Sequence, residues 1–382
     1  MLDILDPWGQ EWGPGVSTTS TPGLAIYKPV WPPFSTANHL CTASSASADL
    51  NCDFFFNQSV KVSIIQILHL KHTFNLPKNT TFFDYLQDLP MGKENFIRQI
   101  ENSFEFKLLD KVVKEEVTAQ DAVQDVINMT MSALSIHGPN KLGGIGLPDY
   151  NVSLAVMELA NRLEPSKQTK LVEFISHLQK QVAVDPSTNE PLRVQGDTLW
   201  TDMPSFGYTE LETWYEFGGD YKDPCDAMLD SKQRDRWANL NAFLAQLTQA
   251  ADIHYRPPKE EVQFCPLDKS LRAIWTMAMA LENERPPASL EDTAAMEAAC
   301  QWFIYAAERL WANVLNNRTY PEAAGAGPGK RYEEEGWPGY TRERWGIWED
   351  GLREARAACE DERMWKLIDD ALASLRRGMV DD

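Results

Sequence analysis

Basic residues are the scarcer of the two charge signs in this sequence. Lysine and arginine number 36 against 56 aspartates and glutamates, giving a formal net charge of −20 over 382 residues. Nucleic-acid affinity comes mostly from Lys and Arg neutralising phosphates, and no basic run offsets the deficit, so no nucleic-acid partner is expected. An anionic membrane surface is excluded on the same ground. Cysteine is also sparse. The six, Cys41, Cys52, Cys225, Cys265, Cys300 and Cys359, never reach CxxC spacing, which excludes a metal knuckle and a compact disulfide frame, so free thiols are expected. Long apolar runs are missing. The longest, residues 60–70, is interrupted by Lys61, Ser63, Gln66 and His69 and falls short of the roughly 20 residues a spanning helix needs. The first 14 residues carry Asp3, Asp6 and Glu11 where a secretory signal would place basic and then apolar residues, so a cytoplasmic location is expected. The sequons at Asn57, Asn79, Asn128, Asn151 and Asn317 are then incidental.

What is present is an ordinary globular composition, 43% hydrophobic and 24% charged, too apolar for disorder throughout. Its distribution is uneven. Residues 1–50 hold five charged side chains among many Ser, Thr, Pro and Gly, and residues 1–94 are read as a poorly ordered, mostly non-helical arm. Within the arm, residues 52–83 turn aromatic and β-branched, and the alternation of Val60, Val62 and Ile64 suits a short strand or hairpin unless the segment is foreign to the fold. From about Asn95 the period becomes helical. Ile97, Ile100, Phe104, Leu108 and Val112 form one stripe of a predicted long helix, and Thr118 stands as the N-cap of the next. Further helices are predicted over 154–163 and 171–178, broken at Glu164-Pro165, then over 209–217, 233–250, 267–281, 290–314, 341–359 and 361–377. Ser289 and Asp292 suggest a capping box for the helix at 290. The expected fold is all-α: an irregular multi-helix array of antiparallel helices in one domain, residues 95–382.

Chemistry-bearing motifs are weak. The stretch Gly138 to Gly146 lacks the Gly-Lys-Ser/Thr of a phosphate loop and reads as a turn. His69 and His72 would face opposite sides of a strand, and no HExxH follows, so no metal and no cofactor are expected. Asp223, Asp226, Asp230, Asp235 and the pair Asp369-Asp370 do not reproduce the aspartate-rich spacing of a diphosphate-binding magnesium site and read as a solvated acidic face. No GxSxG elbow occurs, and Glu297 and Glu308 show no acid–base assignment. Tryptophan is the unusual residue, thirteen in all and ten from Trp200 onward. Trp302, Tyr305 and Arg309 share one helix stripe beside Phe303, Ala306 and Leu310, which suits a core first and a ligand pocket or partner hot spot second.

Four segments carry a resemblance. Leu199-Trp-Thr-Asp-Met-Pro-Ser-Phe-Gly207 with Trp214, Arg236-Trp-Ala-Asn-Leu-Asn-Ala-Phe-Leu-Ala245, and Ala299-Cys-Gln-Trp-Phe-Ile-Tyr-Ala-Ala-Glu-Arg-Leu310, with Glu343-Arg-Trp-Gly-Ile-Trp348, resemble the largely fungal family of domain of unknown function 3632 over roughly residues 97–377. The resemblance implies an all-helical intracellular protein and supplies no catalytic residues. Asparagine at 239 and 241 within an apolar helix requires hydrogen bonding or exposure. Trp237, Asn241, Gln301 and Trp302 are therefore the candidate ligand-binding residues, in a polar-in-apolar pocket between two helices, with an inter-helix clamp as the structural alternative. Two functions remain open: a non-enzymatic scaffold or interaction module with a protein partner, and an enzyme or binder acting on a hydrophobic small molecule in a Trp-lined pocket.

Overall fold

The computed structural model describes residues 92–138, 144–218, 229–256, 261–262 and 265–379, all within one compact unit, Thr81–Asp382. The arm, the strand-like stretch at 52–83, His69 and His72, the cysteines at 41, 52 and 225, and Asp223 and Asp226 lie outside these residues. Within them the fold is all-α. Eleven α-helices follow in order: α1 (Gly92–Asn102), α2 (Phe104–Val113), α3 (Ala119–His137), α4 (Gly146–Arg162), α5 (Thr169–Gln179), α6 (Phe206–Gly218), α7 (Ser231–Ala250), α8 (Ser270–Ala280), α9 (Ala294–Leu315), α10 (Arg342–Ala358) and α11 (Glu362–Gly378). Two small antiparallel hairpins, β1 (Arg193–Val194) with β2 (Asp197–Thr198) and β3 (Tyr255–Arg256) with β4 (Glu261–Val262), decorate the connections.

Polar caps punctuate the helices. Thr118, Thr341 and Asp361 each accept a backbone N–H of the first turn, and Asp230 forms a full capping box with Gln233 on α7. Two sequence expectations are corrected by caps. The stripe from Ile97 to Val112 is two helices, because Ser103 donates to the Ile100 carbonyl and accepts the Phe106 N–H, ending α1 and starting α2; Phe104 is thereby left exposed. The helix at 290 begins instead at Ala294, capped by Thr293, while Ser289 closes a 3-10 turn.

The core centres on α9. Almost every residue from Ala294 to Phe303 is buried, and the helix packs against α7, α8 and α11. A helix that is apolar nearly all round must sit inside, and small residues at 294, 295, 298, 299, 306 and 307 let its neighbours approach. Indoles fill the remaining space. Trp214 meets Trp237 edge-on at 4.9 Å between centroids, and Phe303 meets Trp345 likewise at 5.5 Å. The glycine-rich loop before α10 is fastened by an ion pair without solvent exposure. Arg344 donates to both Glu282 oxygens (2.6 and 3.0 Å) and to the carbonyls of Ala326, Gly327 and Gly339, and Glu282 also accepts from Trp348 Nε1 and the Gly329 N–H. All five guanidinium N–H groups are used, which is the condition under which a buried pair is tolerated.

Candidate functional site

The four residues singled out from the sequence divide between two places. Trp237 and Asn241 lie one turn apart on the inner face of α7, and Trp302 faces them from α9; all three are buried. Asn241 Oδ1 accepts the Trp302 indole N–H at 2.9 Å and the Thr276 hydroxyl of α8 at 3.2 Å, while Asn241 Nδ2 donates to the Trp237 carbonyl at 3.0 Å. One carboxamide thus satisfies groups on three helices. This trio has the geometry of the inter-helix clamp, with its polar atoms turned on one another.

Gln301 points elsewhere. It lines a cleft of about 590 Å³ bordered by α4, α7, α9, α11 and the Glu164-Pro165 turn. On α7, Lys232, Asp235, Arg236 and Asn239 face it at i, i+3, i+4 and i+7; on α11, Arg363, Lys366, Leu367 and Asp370 do so at the same spacing. Two helices therefore each turn one stripe to a common space, and α9 contributes Glu297 and Gln301 between them. The rim, Lys232, Asp235, Arg363, Lys366 and Asp370, is exposed and of mixed sign. The interior is buried and polar: Asn161, Glu297 and Gln301 are 2%, 4% and 7% exposed.

Ion pairs hold this lining in place. Arg236 reaches Glu158 at 2.8 Å, and Arg162 bonds the same carboxylate and Glu101. Arg363 pairs with Glu297 Oε1 and, at 3.9 Å, with Asp235. The Asn239 carboxamide donates to the Asn161 carbonyl at 3.1 Å, and Gln168 bridges the Ala160 and Asn239 carbonyls, tying the end of α4 to α7. Glu308 is exposed on α9, eleven residues and about 16 Å of helix from Glu297, so the two carboxylates do not form a pair.

A second polar cluster is closed. Glu210 on α6 is buried and bonded to Arg272 at 2.8 Å, with Lys269 at 3.5 Å. Burial works against its charge, but the two cations hold its carboxyl below the usual range, while burial lowers Lys269. Arg272 also covers the Trp275 ring at 4.3 Å. Among the described residues no group of three His, Cys, Asp or Glu side chains has the disposition of a metal site.

Sequence reasoning found Gln301, Asn239, Arg236 and Glu297 but did not assemble the cleft, and it passed over Asn161, Lys232, Arg363 and Lys366. The signal was the matched charged spacing on the segments starting at 232 and 363, which becomes informative only once both stripes are known to face one space.

Within the described residues, fold and site together define an all-helical protein with an aromatic core and a charged cleft between α4, α7, α9 and α11; no described helix is long and apolar enough to cross a membrane. The family model described as protein of unknown function (DUF3632) matches residues 154–352, just over half the chain, and the chain belongs to that family. No curated protein and no solved structure matches it. The α4, α7 and α9 contributions to the cleft fall within the matched span, and those of α11 beyond it.

Proposed function

We propose that this protein is a non-enzymatic interaction module that receives a partner protein at the cleft between α4, α7, α9 and α11. One observation carries the reading: around Trp237, Asn241 and Trp302, where a hydrophobic ligand would lie, the side chains are buried and hydrogen-bonded through Asn241, whereas the cleft is open and has a rim of mixed charge. Its lining is Lys, Arg, Asp, Glu, Asn and Gln with Ala, Leu and Pro, and it includes no Ser, Thr, Cys, His or Tyr to serve as a nucleophile or imidazole base. Mixed-sign rims give specificity and orientation rather than raw affinity, which suits a scaffold. A cytoplasmic setting accords with the free thiols at Cys265, Cys300 and Cys359.

The test immobilises the full chain and a Lys232→Glu/Lys366→Glu variant in parallel and passes extract of the source cells over both. Both lysines are exposed, so the fold is expected to survive the change. A protein retained by the native chain and lost from the variant supports the reading. A stoichiometric metabolite retained equally by both would overturn it in favour of a small-molecule binder using the Trp-rich helices.

A further inference from the structure

Nine charged side chains line the cleft, and six of them are already engaged. Arg162 and Arg236 both reach Glu158, Arg363 pairs with Glu297 and, at 3.9 Å, with Asp235, and Glu164 pairs with Lys167 at 3.1 Å. The remaining three are Lys232 on α7 and Lys366 and Asp370 on α11. All three are exposed, and none forms a side-chain hydrogen bond or an ion pair among the described residues. The unengaged charge is therefore positive, two ammonium groups to one carboxylate, in a chain where acidic side chains outnumber basic ones 56 to 36. Asp370 does not remove the excess. It stands one turn after Lys366, the weaker order for an i,i+4 pair, and by turning to Lys366 it would still leave Lys232 alone on the other wall.

The sign of this excess discriminates among occupants. A basic segment would meet both ammonium groups and find one free carboxylate. An apolar segment would strip water from two unpaired charges, with Pro165, Ala238 and Leu367 as its apolar contacts in exchange. An acidic side chain is attracted by both walls at once, and its two oxygens can accept from ammonium groups on two sides. A phosphate is best met by the planar fork of arginine, and the three arginines here are held by Glu158, Glu297 and Asp235. Lysine is a point charge on a flexible stem, which suits a single carboxylate.

We infer that the partner received at the cleft presents an acidic side chain whose carboxylate sits between Lys232 and Lys366. This deepens the interaction-module reading and rests on it. Complementary charge at such a rim fixes the orientation of a partner and rejects one of the wrong sign. The chain's own net charge of −20 repels acidic proteins at long range, so the contact selects a partner shaped to reach the cleft rather than acidity in general.

The probe is a library of random octapeptides displayed on phage, selected on the immobilised full chain and, in parallel, on its Lys232→Glu/Lys366→Glu and Lys232→Gln/Lys366→Gln variants. Segments retained equally by all three bind elsewhere and are set aside. Among segments lost from both variants, Asp and Glu are expected to be enriched about threefold or more over the library, and the charge-reversed variant is expected to select Lys and Arg in their place. A synthetic octapeptide from the acidic set, capped at both ends, is then titrated against the native chain beside a copy carrying Gln for each Glu and Asn for each Asp. The amide copy is expected to bind about tenfold more weakly. The neutral variant keeps the selection informative if charge reversal disturbs the fold. Variant-sensitive segments without an acidic excess, or an amide copy that binds as well as the acid, would overturn the inference and leave the cleft as a docking site of another chemistry. If no segment distinguishes the native chain from either variant, the inference fails together with the interaction-module reading at the cleft.

Discussion

Asn241 accepts the indole N–H of Trp302 at 2.9 Å and thereby couples the two helices, α7 and α9, that form one wall and the floor of the cleft. Asn241→Leu keeps the volume but leaves Trp302 Nε1 and the Trp237 carbonyl without that partner in a dry interior. A loss of about 2–4 kcal/mol in unfolding free energy is expected, read by urea denaturation with an unchanged slope. A loss below about 0.5 kcal/mol would show that the carboxamide clamps nothing.

Arg344 and Glu282 predict a larger effect. Arg344→Met leaves the Glu282 carboxylate buried with only Trp348 and the Gly329 N–H beside it, and frees three loop carbonyls. The expected cost is about 3–5 kcal/mol, and pairing it with Glu282→Met should restore part of that, because two matched apolar side chains avoid the lone charge. Thermal melts of the three variants decide it. A double variant less stable than Arg344→Met alone would contradict the assignment.

The same loop separates two glycines. A Cβ on Gly329 would stand 2.6 Å from the Cβ and carbonyl oxygen of Glu282, whereas one on Gly327 would meet nothing within 4 Å. Gly329→Ala is expected to cost upwards of about 2 kcal/mol and Gly327→Ala less than about 0.5, measured side by side by denaturant melts. Equal costs would mean that the loop is not pinned to Glu282.

Asp149, in the first turn of α4, accepts both the hydroxyl (2.5 Å) and the N–H (3.1 Å) of Ser205, while its Oδ1 is buried without a partner. Burial pushes its carboxyl up to about 6, against the pull of Ser205. The folded state therefore holds this proton more tightly than the unfolded chain, and its contribution to stability is lost as pH rises from about 4 to about 6. Relative to Asp149→Asn, the native chain should lose about 3 kcal/mol across that window and nothing further above it, as read by urea melts at a series of pH values. A pH-independent difference between the two would contradict it.

The helical part was legible in the sequence because its punctuation is chemical: Thr118, Thr341, Asp361 and the Glu164-Pro165 break mark boundaries that the structure keeps. Ser103 escaped notice because the apolar period runs straight through it. Only the cap bonds at 2.7 and 3.1 Å show that the helix stops, at the expense of exposing Phe104. The pair Asn239 and Asn241 signalled a polar demand inside an apolar helix, and the structure answers it in two directions, inward to Trp302 and outward to the end of α4. Which way each pointed depended on the rotation of α7, which composition does not reveal when nearly every position is buried or amphipathic. The cleft was not legible because Asn161 and Lys366 are about two hundred residues apart and meet only through the packing of α4 and α11 around α7 and α9.

The most direct measurement places a photo-crosslinking side chain at Lys366, on the cleft rim, and separately at Lys111, exposed on α2 and away from the cleft, then irradiates the full chain in extract of its source cells. If the cleft is where a partner protein docks, a discrete adduct forms from position 366 and none from 111. Equal adducts from both positions, or none from 366, would contradict it.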